Sequence, residues 1–78
     1  MQVTVKYFAS LRDKMGRDEQ EVTLTMPSAT VADLRQHLAS ALEFPDNTLV
    51  AVNMEYSDDT KVLKDGDEVA FFPPVTGG

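Results

Sequence analysis

Short runs of alternating apolar and polar residues lie on both sides of one helical stripe, and this pattern constrains the fold most. Such alternation is typical of half-buried strands, because successive side chains of a strand point to opposite faces. The strand-like runs are QVTVKYF (2–8), EVTLTM (21–26), LVAVNMEY (49–56) and EVAFF (68–72), with a short extended piece in KVLK (61–64). The last strand should end at Pro73 and Pro74, because proline has no N–H for the ladder.

The main helix is predicted to begin at Thr30. Thr30 and Asp33 have the spacing of a capping box, with Asp in place of the usual Glu. The apolar stripe that follows at helical spacing consists of Val31, Leu34, Leu38, Ala41 and Leu42. A shorter helix is predicted in ASLRDKMG (9–16), which Gly16 should end.

These elements predict an α+β fold, with one main helix packed on one face of a sheet. The chain of 78 residues allows a single domain, which we place at residues 1–72, and residues 73–78 should form an extended tail. The pattern does not set the order of the strands.

Strand parity predicts which side chains face the helix. The inward set is Val3, Val5, Tyr7, Val22, Leu24, Met26, Val50, Val52, Met54, Tyr56, Val69 and Phe71. Phe8 and Phe72 would then lie on the opposite face, where two large apolar rings suggest a docking patch at the root of the tail. The alternative is that Phe8 belongs to the helix entrance and that the tail covers Phe72.

Composition argues against most catalytic chemistries. The absence of cysteine excludes disulfides and thiolate sites, and His37, the only histidine, has no partner for the usual metal or triad geometries. The acidic segments at 58–59 and 65–68 lack the calcium-loop spacing, so turn formation explains them better. We therefore expect no metal site, no bound cofactor and no free-standing enzyme.

The net charge of −6 argues against nucleic acid or an anionic membrane as a partner. No apolar run is long enough for a membrane span, and the first residues lack the organisation of a signal peptide. Together with the lack of cysteine, this favours a cytoplasmic setting.

The segment PPVTGG (73–78) suggests a function for the tail. Pro73 and Pro74 favour an extended stem, and an extended chain from Pro73 to Gly78 spans on the order of 20 Å. Gly77 and Gly78 form a thread thin enough for a narrow channel, and they leave the terminal carbonyl carbon unhindered. A carboxylate is a poor electrophile, so this use of the tail requires a partner enzyme that activates it with ATP.

Three segments carry a resemblance to the ubiquitin-like sulfur carriers, and within them to the small subunits of molybdopterin synthase. They are VKYFASLRDKMG (5–16), LVAVN (49–53) and LKDGDEVAFFPPVTGG (63–78). The resemblance covers the full length, and the DGDEVAFFPPVTGG ending is its most specific part. It implies a β-grasp fold, in agreement with strands around one long helix.

The resemblance also implies a reaction sequence and a role for each tail residue. An adenylating enzyme would activate the Gly78 carboxylate with ATP, and a sulfur donor would convert it to a thiocarboxylate. Gly77, Thr76 and Val75 would thread into the large subunit of molybdopterin synthase, where sulfur passes to a pterin precursor. Two small and two large subunits form the usual assembly.

The residues implied to contact the large subunit are Phe8, Phe72, Pro73 and Pro74. Three alternatives stay open: a related carrier of the thiazole type, a ubiquitin-like modifier that joins Gly78 to lysines of other proteins, and an interaction module whose tail is incidental.

Overall fold

The computed structural model describes residues 1–40, 44–45 and 47–74. The elements in chain order are β1 (Gln2–Tyr7), α1 (Ala9–Met15), β2 (Glu19–Thr23), β3 (Ala29–Thr30), α2 (Val31–Leu38), β4 (Leu49–Val52), β5 (Glu55–Ser57), β6 (Val62–Leu63) and β7 (Glu68–Phe72). The predicted α+β class is confirmed. Ala41 and Leu42, predicted for the main helix, and the tail residues 75–78 lie outside the described residues.

Five strands form a mixed sheet in the order β2-β1-β7-β4-β5, and β3 pairs with β6 in a separate two-stranded sheet. The central strands β1 and β7 run parallel, whereas the other neighbours in the large sheet are antiparallel. The parallel pair joins the beginning of the chain to its last strand, so both strands end at the same edge of the sheet.

A single cluster of buried side chains joins the main helix α2 to one face of this sheet. Val31, Leu34 and Leu38 supply the helix side, as the stripe predicts. The predicted inward residues that are buried in the sheet are Val3, Val5, Tyr7, Val22, Val50, Val52, Val69 and Phe71, and Leu24 is buried just beyond β2. Burial of this apolar set is the main favourable term in the folding of such a small domain.

The predicted start of the main helix at Thr30 and the predicted end of the shorter helix at Gly16 are both confirmed. The Thr30 N–H donates to Asp33 Oδ2 over 2.9 Å, and the Asp33 N–H donates to Thr30 Oγ1 over 3.3 Å, which completes the capping box. Helix α1 ends at Gly16, whose φ of 78° is left-handed and whose N–H donates to the Arg12 carbonyl.

The prediction of one continuous strand over 49–56 is wrong, because the chain reverses at Asn53 and Met54. Both residues have positive φ, 51° and 71°, and they connect β4 to β5 in a two-residue hairpin. Asn53 ties this turn to β7, since its N–H donates to the Glu68 carbonyl and its side-chain oxygen accepts from the Glu68 N–H.

The reversal also changes which residues face the helix. Tyr56 pairs with Ala51, on the face opposite Val50 and Val52, and is 75% exposed. Met54 lies in the turn and is 91% exposed. Met26 is likewise not in the core, because β2 ends at Thr23, and its exposed fraction is 40%. These three inward assignments are corrected.

The acidic segments close turns, as predicted. Asp58 Oδ1 accepts from the Thr60 N–H and Asp67 Oδ2 from the Lys64 N–H, within their own turns. Asp65 Oδ1 instead accepts from the Gln2 N–H and ties its turn to the start of β1. Within the described ranges, no three acidic or histidine side chains lie close enough together to hold a metal ion. Among the helices in those ranges, none has both the length and the apolar character needed to cross a membrane.

Candidate functional site

The candidate site lies at the sheet edge where β1 and β7 end side by side. Tyr7 pairs with Phe71 in the parallel ladder, and the Phe8 N–H donates to the Phe71 carbonyl over 3.1 Å. Phe8 and Phe72 therefore end up next to each other, although 64 positions separate them in the sequence. Their ring centroids are 6.2 Å apart at an interplanar angle of 83°, an edge-to-face contact.

A third ring extends this contact along the same face, towards the β5 edge of the sheet. The Tyr56 ring lies 5.6 Å from that of Phe72, at an interplanar angle of 65°. We call Phe8, Tyr56 and Phe72 the aromatic cluster. Parity had not predicted Tyr56 as a site residue, and the Asn53-Met54 turn is the feature that brings it to this face.

The aromatic cluster is accessible and lies on the face opposite α2. Phe8 is 47% exposed, Tyr56 is 75% exposed, and Phe72, Pro73 and Pro74 are half-buried. The predicted outward orientation of Phe8 and Phe72 is thus confirmed. Phe8 also belongs to the entrance of a helix, as the alternative had it, because it is the N-cap residue of α1. Whether these rings contact a partner stays a prediction, and so do the roles of Val75, Thr76, Gly77 and Gly78, which lie outside the described residues.

The backbone after Phe8 helps to keep its ring on the outer face. Phe8 is extended, with φ of −123° and ψ of 152°, and Ala9 then takes a left-handed φ of 52°. This abrupt change starts α1, whose Leu11 N–H donates to the Phe8 carbonyl over 3.1 Å. Leu11 is consequently fully buried while the Phe8 ring stays at the surface.

A groove of about 230 Å³, lined by both polar and apolar side chains, adjoins the cluster at Tyr56. It opens beyond the last β4–β5 ladder pair, Val50 with Ser57, and we call it the wedge. Arg35 crosses its base: its Nη2 donates to the Thr48 carbonyl over 2.8 Å, and its Nε lies 3.0 Å from Asp59 Oδ1. The geometry at Nε is too bent for a hydrogen bond, so this contact is an ion pair only.

Charge and polarity around the site follow from a few contacts. Lys6 Nζ lies 3.3 Å from Glu68 Oε1, so these two charges compensate each other on the outer face of the sheet. Hydrogen bonds from the Thr60 hydroxyl and N–H lower the pKa of Asp58, which is ionised at neutral pH. His37 is exposed on α2, as predicted for a solvated histidine.

The family model that matches this chain is that of the ThiS family, over residues 5–78. The molybdopterin synthase sulfur carrier subunit of Escherichia coli is 46% identical over 97% of this chain and 99% of that relative. The subunit of the same name from Chlamydomonas reinhardtii is 43% identical, and the match covers 100% of both chains.

Solved structures agree with the topology. SAMP1, the small archaeal modifier protein 1 of Haloferax volcanii, has a TM-score of 0.85 at 30% identity and covers 100% of both chains. A complex of subunits 1 and 2 of molybdopterin-converting factor from Helicobacter pylori includes a chain with a TM-score of 0.72 at 26% identity and 100% coverage of both. The ubiquitin of Caldiarchaeum subterraneum, with a TM-score of 0.67 at 21% identity over 100% of this chain and 98% of that one, shows the fold alone. The predicted ubiquitin-like β-grasp fold is therefore confirmed.

Proposed function

The chain belongs to the ThiS family, and from this premise we propose that it is the sulfur carrier subunit of a molybdopterin synthase. The observation that carries the proposal is the match to sulfur carrier subunits of a bacterium and an alga, which covers almost the full length of this chain and of each relative. On this proposal the chain acts in the cytoplasm as the sulfur-donating member of a two-subunit enzyme.

The proposed chemistry takes place at the Gly78 carboxyl group. An adenylating enzyme would join this carboxylate to AMP from ATP with release of pyrophosphate, which gives the carbonyl carbon a good leaving group. A sulfur donor would then displace AMP and leave a thiocarboxylate. Because sulfur is softer than oxygen, the thiocarboxylate is a better nucleophile than the carboxylate, and it keeps labile sulfur covalently attached to the protein.

The proposed partner is the large subunit, which would receive the tail and contribute the acid, the base and the pterin pocket. Val75, Thr76 and Gly77 would thread through its channel so that Gly78 reaches the pterin precursor. Two small and two large subunits would form the assembly. The chain itself would bind no cofactor, since ATP serves the activating enzyme.

The aromatic cluster supports this role because of where it lies. Phe72 is the last residue of β7 and is followed directly by Pro73 and Pro74, so the three rings lie where the tail leaves the sheet, within reach of a protein that receives the tail. Aromatic residues, Phe and Tyr among them, are enriched in the cores of protein interfaces relative to the rest of the surface. We propose that Phe8, Tyr56, Phe72, Pro73 and Pro74 contact the large subunit.

The test is an intact mass measurement on the untagged protein from its own cells, followed by sequencing of its carboxyl-terminal peptide. We expect a population in which one oxygen is exchanged for sulfur, with the change localised to Gly78. Incubation with the adenylating enzyme, ATP and a sulfur donor should increase this population. A carboxylate that remains unmodified under both conditions would refute the carrier role.

A carboxyl-terminal extension provides the matching control. A tag added after Gly78 should leave the fold and the urea midpoint unchanged, while it abolishes sulfur transfer to the pterin precursor in the presence of the large subunit. Sulfur transfer at the untagged rate from an extended and untrimmed protein would rule out the terminal mechanism. Binding to the large subunit also separates this function from that of a thiazole-type carrier, which would use the same terminal chemistry with another acceptor.

A second candidate function is supported by the similarity to SAMP1, which is a modifier protein by name. Adenylation of Gly78 would serve an isopeptide bond to a target lysine as well as it serves sulfur transfer. The same peptide sequencing distinguishes the two, since conjugates would contain Gly78 joined to lysine side chains of other proteins.

A further inference from the structure

The wedge beside the aromatic cluster has no role in the function proposed above. Thr48 and Leu49 form one wall, Asp58 and Asp59 form the other, and Tyr56 stands at the rim. Tyr56 also belongs to the aromatic cluster, and Leu49 is paired with Phe72 in the β4–β7 ladder. A partner seated on the three rings would therefore reach the wedge without any rearrangement of the sheet.

The positive charge in the wedge is already used within the chain. Arg35 donates to the Thr48 carbonyl and pairs with Asp59, and its guanidinium lies 5.7 Å from the Phe71 ring centroid. Among the described residues, no cation lies within ion-pair distance of Asp58. The wedge thus carries one uncompensated negative charge, on the Asp58 carboxylate.

The remaining polar atoms of the wedge can accept hydrogen bonds. Thr48 is only 6% exposed, and its hydroxyl has no hydrogen-bond partner among the described residues. The Ser57 hydroxyl donates to the Glu55 carbonyl, which leaves the lone pairs of its oxygen available. Buried hydroxyl groups are normally paired, so the unpaired Thr48 hydroxyl beside this groove indicates a partner group that the described residues do not supply.

We propose that the wedge receives a lysine or arginine side chain of the large subunit, held by the Asp58 carboxylate, the oxygen atoms of the wedge and the face of Tyr56. This inference rests on the proposed function, because it identifies how the tail-receiving partner is recognised. A basic side chain supplies the N–H donors that these atoms lack, and a cation stacks favourably on an exposed aromatic ring. The chain's net charge of −6 favours a partner surface of the same kind.

The test compares Asp58→Asn with Asp65→Asn. Each substitution removes one exposed negative charge, and in each the side chain can still accept the backbone N–H bond that Asp58 receives from Thr60 and Asp65 from Gln2. Asp65 precedes Gly66, which bonds to the Gln2 carbonyl at the start of β1, so it lies at the opposite end of the sheet from the aromatic cluster. Binding of each full-length variant to the purified large subunit is measured by titration calorimetry at two salt concentrations.

We expect Asp58→Asn to raise the Kd about tenfold at low salt, because the variant loses one charge pair across the interface. The Kd of Asp65→Asn should stay within about twofold of the wild-type value. The difference should shrink at high salt, because screening weakens the ion pair in the wild type. If the two variants have equal Kd values and the wild type still binds the large subunit, the inference is overturned but the proposed function stands. A wild-type protein that does not bind the large subunit would instead contradict the proposed function itself.

Discussion

At the scale of single residues, Met54 occupies a backbone conformation that suits methionine poorly. Its φ is 71°, and its side chain is 91% exposed at the tip of the β4–β5 hairpin. Two-residue hairpin turns with positive φ at both positions favour Asn followed by Gly, since glycine has no Cβ to clash with the carbonyl oxygen. Asn53 meets this preference and Met54 does not.

Met54→Gly should therefore stabilise the protein. Relief of the left-handed strain exceeds the added chain entropy of the unfolded state, and the expected gain in the free energy of unfolding is about 0.5–1 kcal/mol. Urea denaturation measures it. Gly66→Ala is the converse control. Gly66 has a φ of 88° and open space around it, so only backbone strain should lower the stability of this variant. A loss of stability in Met54→Gly would contradict the assigned turn.

Tyr56→Ala should weaken binding to the large subunit with little change in folding. The ring is 75% exposed and contacts Phe72, so its removal exposes no core side chain. We expect Kd to rise by about tenfold or more, as for an aromatic residue near the centre of an interface. Met54→Gly is the matched control, since it removes an exposed apolar side chain from the same hairpin outside the aromatic cluster. If both variants bind as the wild type does, the cluster is not the docking surface.

At the scale of elements, the main helix could be predicted because its start is encoded locally. Thr30 and Asp33 are three residues apart, and the capping hydrogen bonds between them need no other part of the fold. The reversal at Asn53 and Met54 could not be predicted in the same way. Without a glycine, LVAVNMEY alternates like one long strand, and only the pairing of β4 with β5 and β7 shows where the chain turns.

Thr30→Ala tests the contribution of this cap to α2. The substitution leaves the Asp33 N–H without its acceptor, so the free energy of unfolding should fall by about 1 kcal/mol. Thr30→Ser retains a hydroxyl at the same position and should recover most of that loss. Urea denaturation with far-ultraviolet circular dichroism measures both variants. Equal destabilisation by Ala and Ser would show that the Thr30 methyl group, rather than its hydroxyl, provides the stability.

At the scale of the whole molecule, only part of the candidate site could be predicted from the sequence. Parity placed Phe8 and Phe72 on the outer face, because each lies in or next to a regular strand. Their contact depends on the parallel pairing of the first and last strands, which no local pattern encodes. The position of Tyr56 depends additionally on the hairpin, and the wedge exists only where β4 and β5 end their ladder.

The buried Tyr7 couples folding of the whole domain to alkaline pH. Its side chain is 1% exposed in the centre of the sheet, and its hydroxyl accepts a hydrogen bond from Gln20 Nε2 over 3.1 Å. Burial raises the pKa of Tyr7 to about 12, and the nearby Arg17 charge opposes this only in part. In the unfolded chain the pKa returns to about 10, so above that pH the unfolded state loses a proton that the folded state keeps.

The free energy of unfolding should therefore fall as pH rises from about 10 to about 12, and the Tyr7 contribution to this fall is about 2–3 kcal/mol. Below pH 10 both states hold the proton and Tyr7 adds no pH dependence. Tyr7→Phe removes the ionisable group, so its stability should decline less over the same range even though it lacks the hydrogen bond to Gln20. Urea titrations of both proteins at several alkaline pH values give the two slopes. Parallel slopes would mean that the folded protein ionises Tyr7 as readily as the unfolded chain does, and hence that the centre of the sheet opens to water without global unfolding.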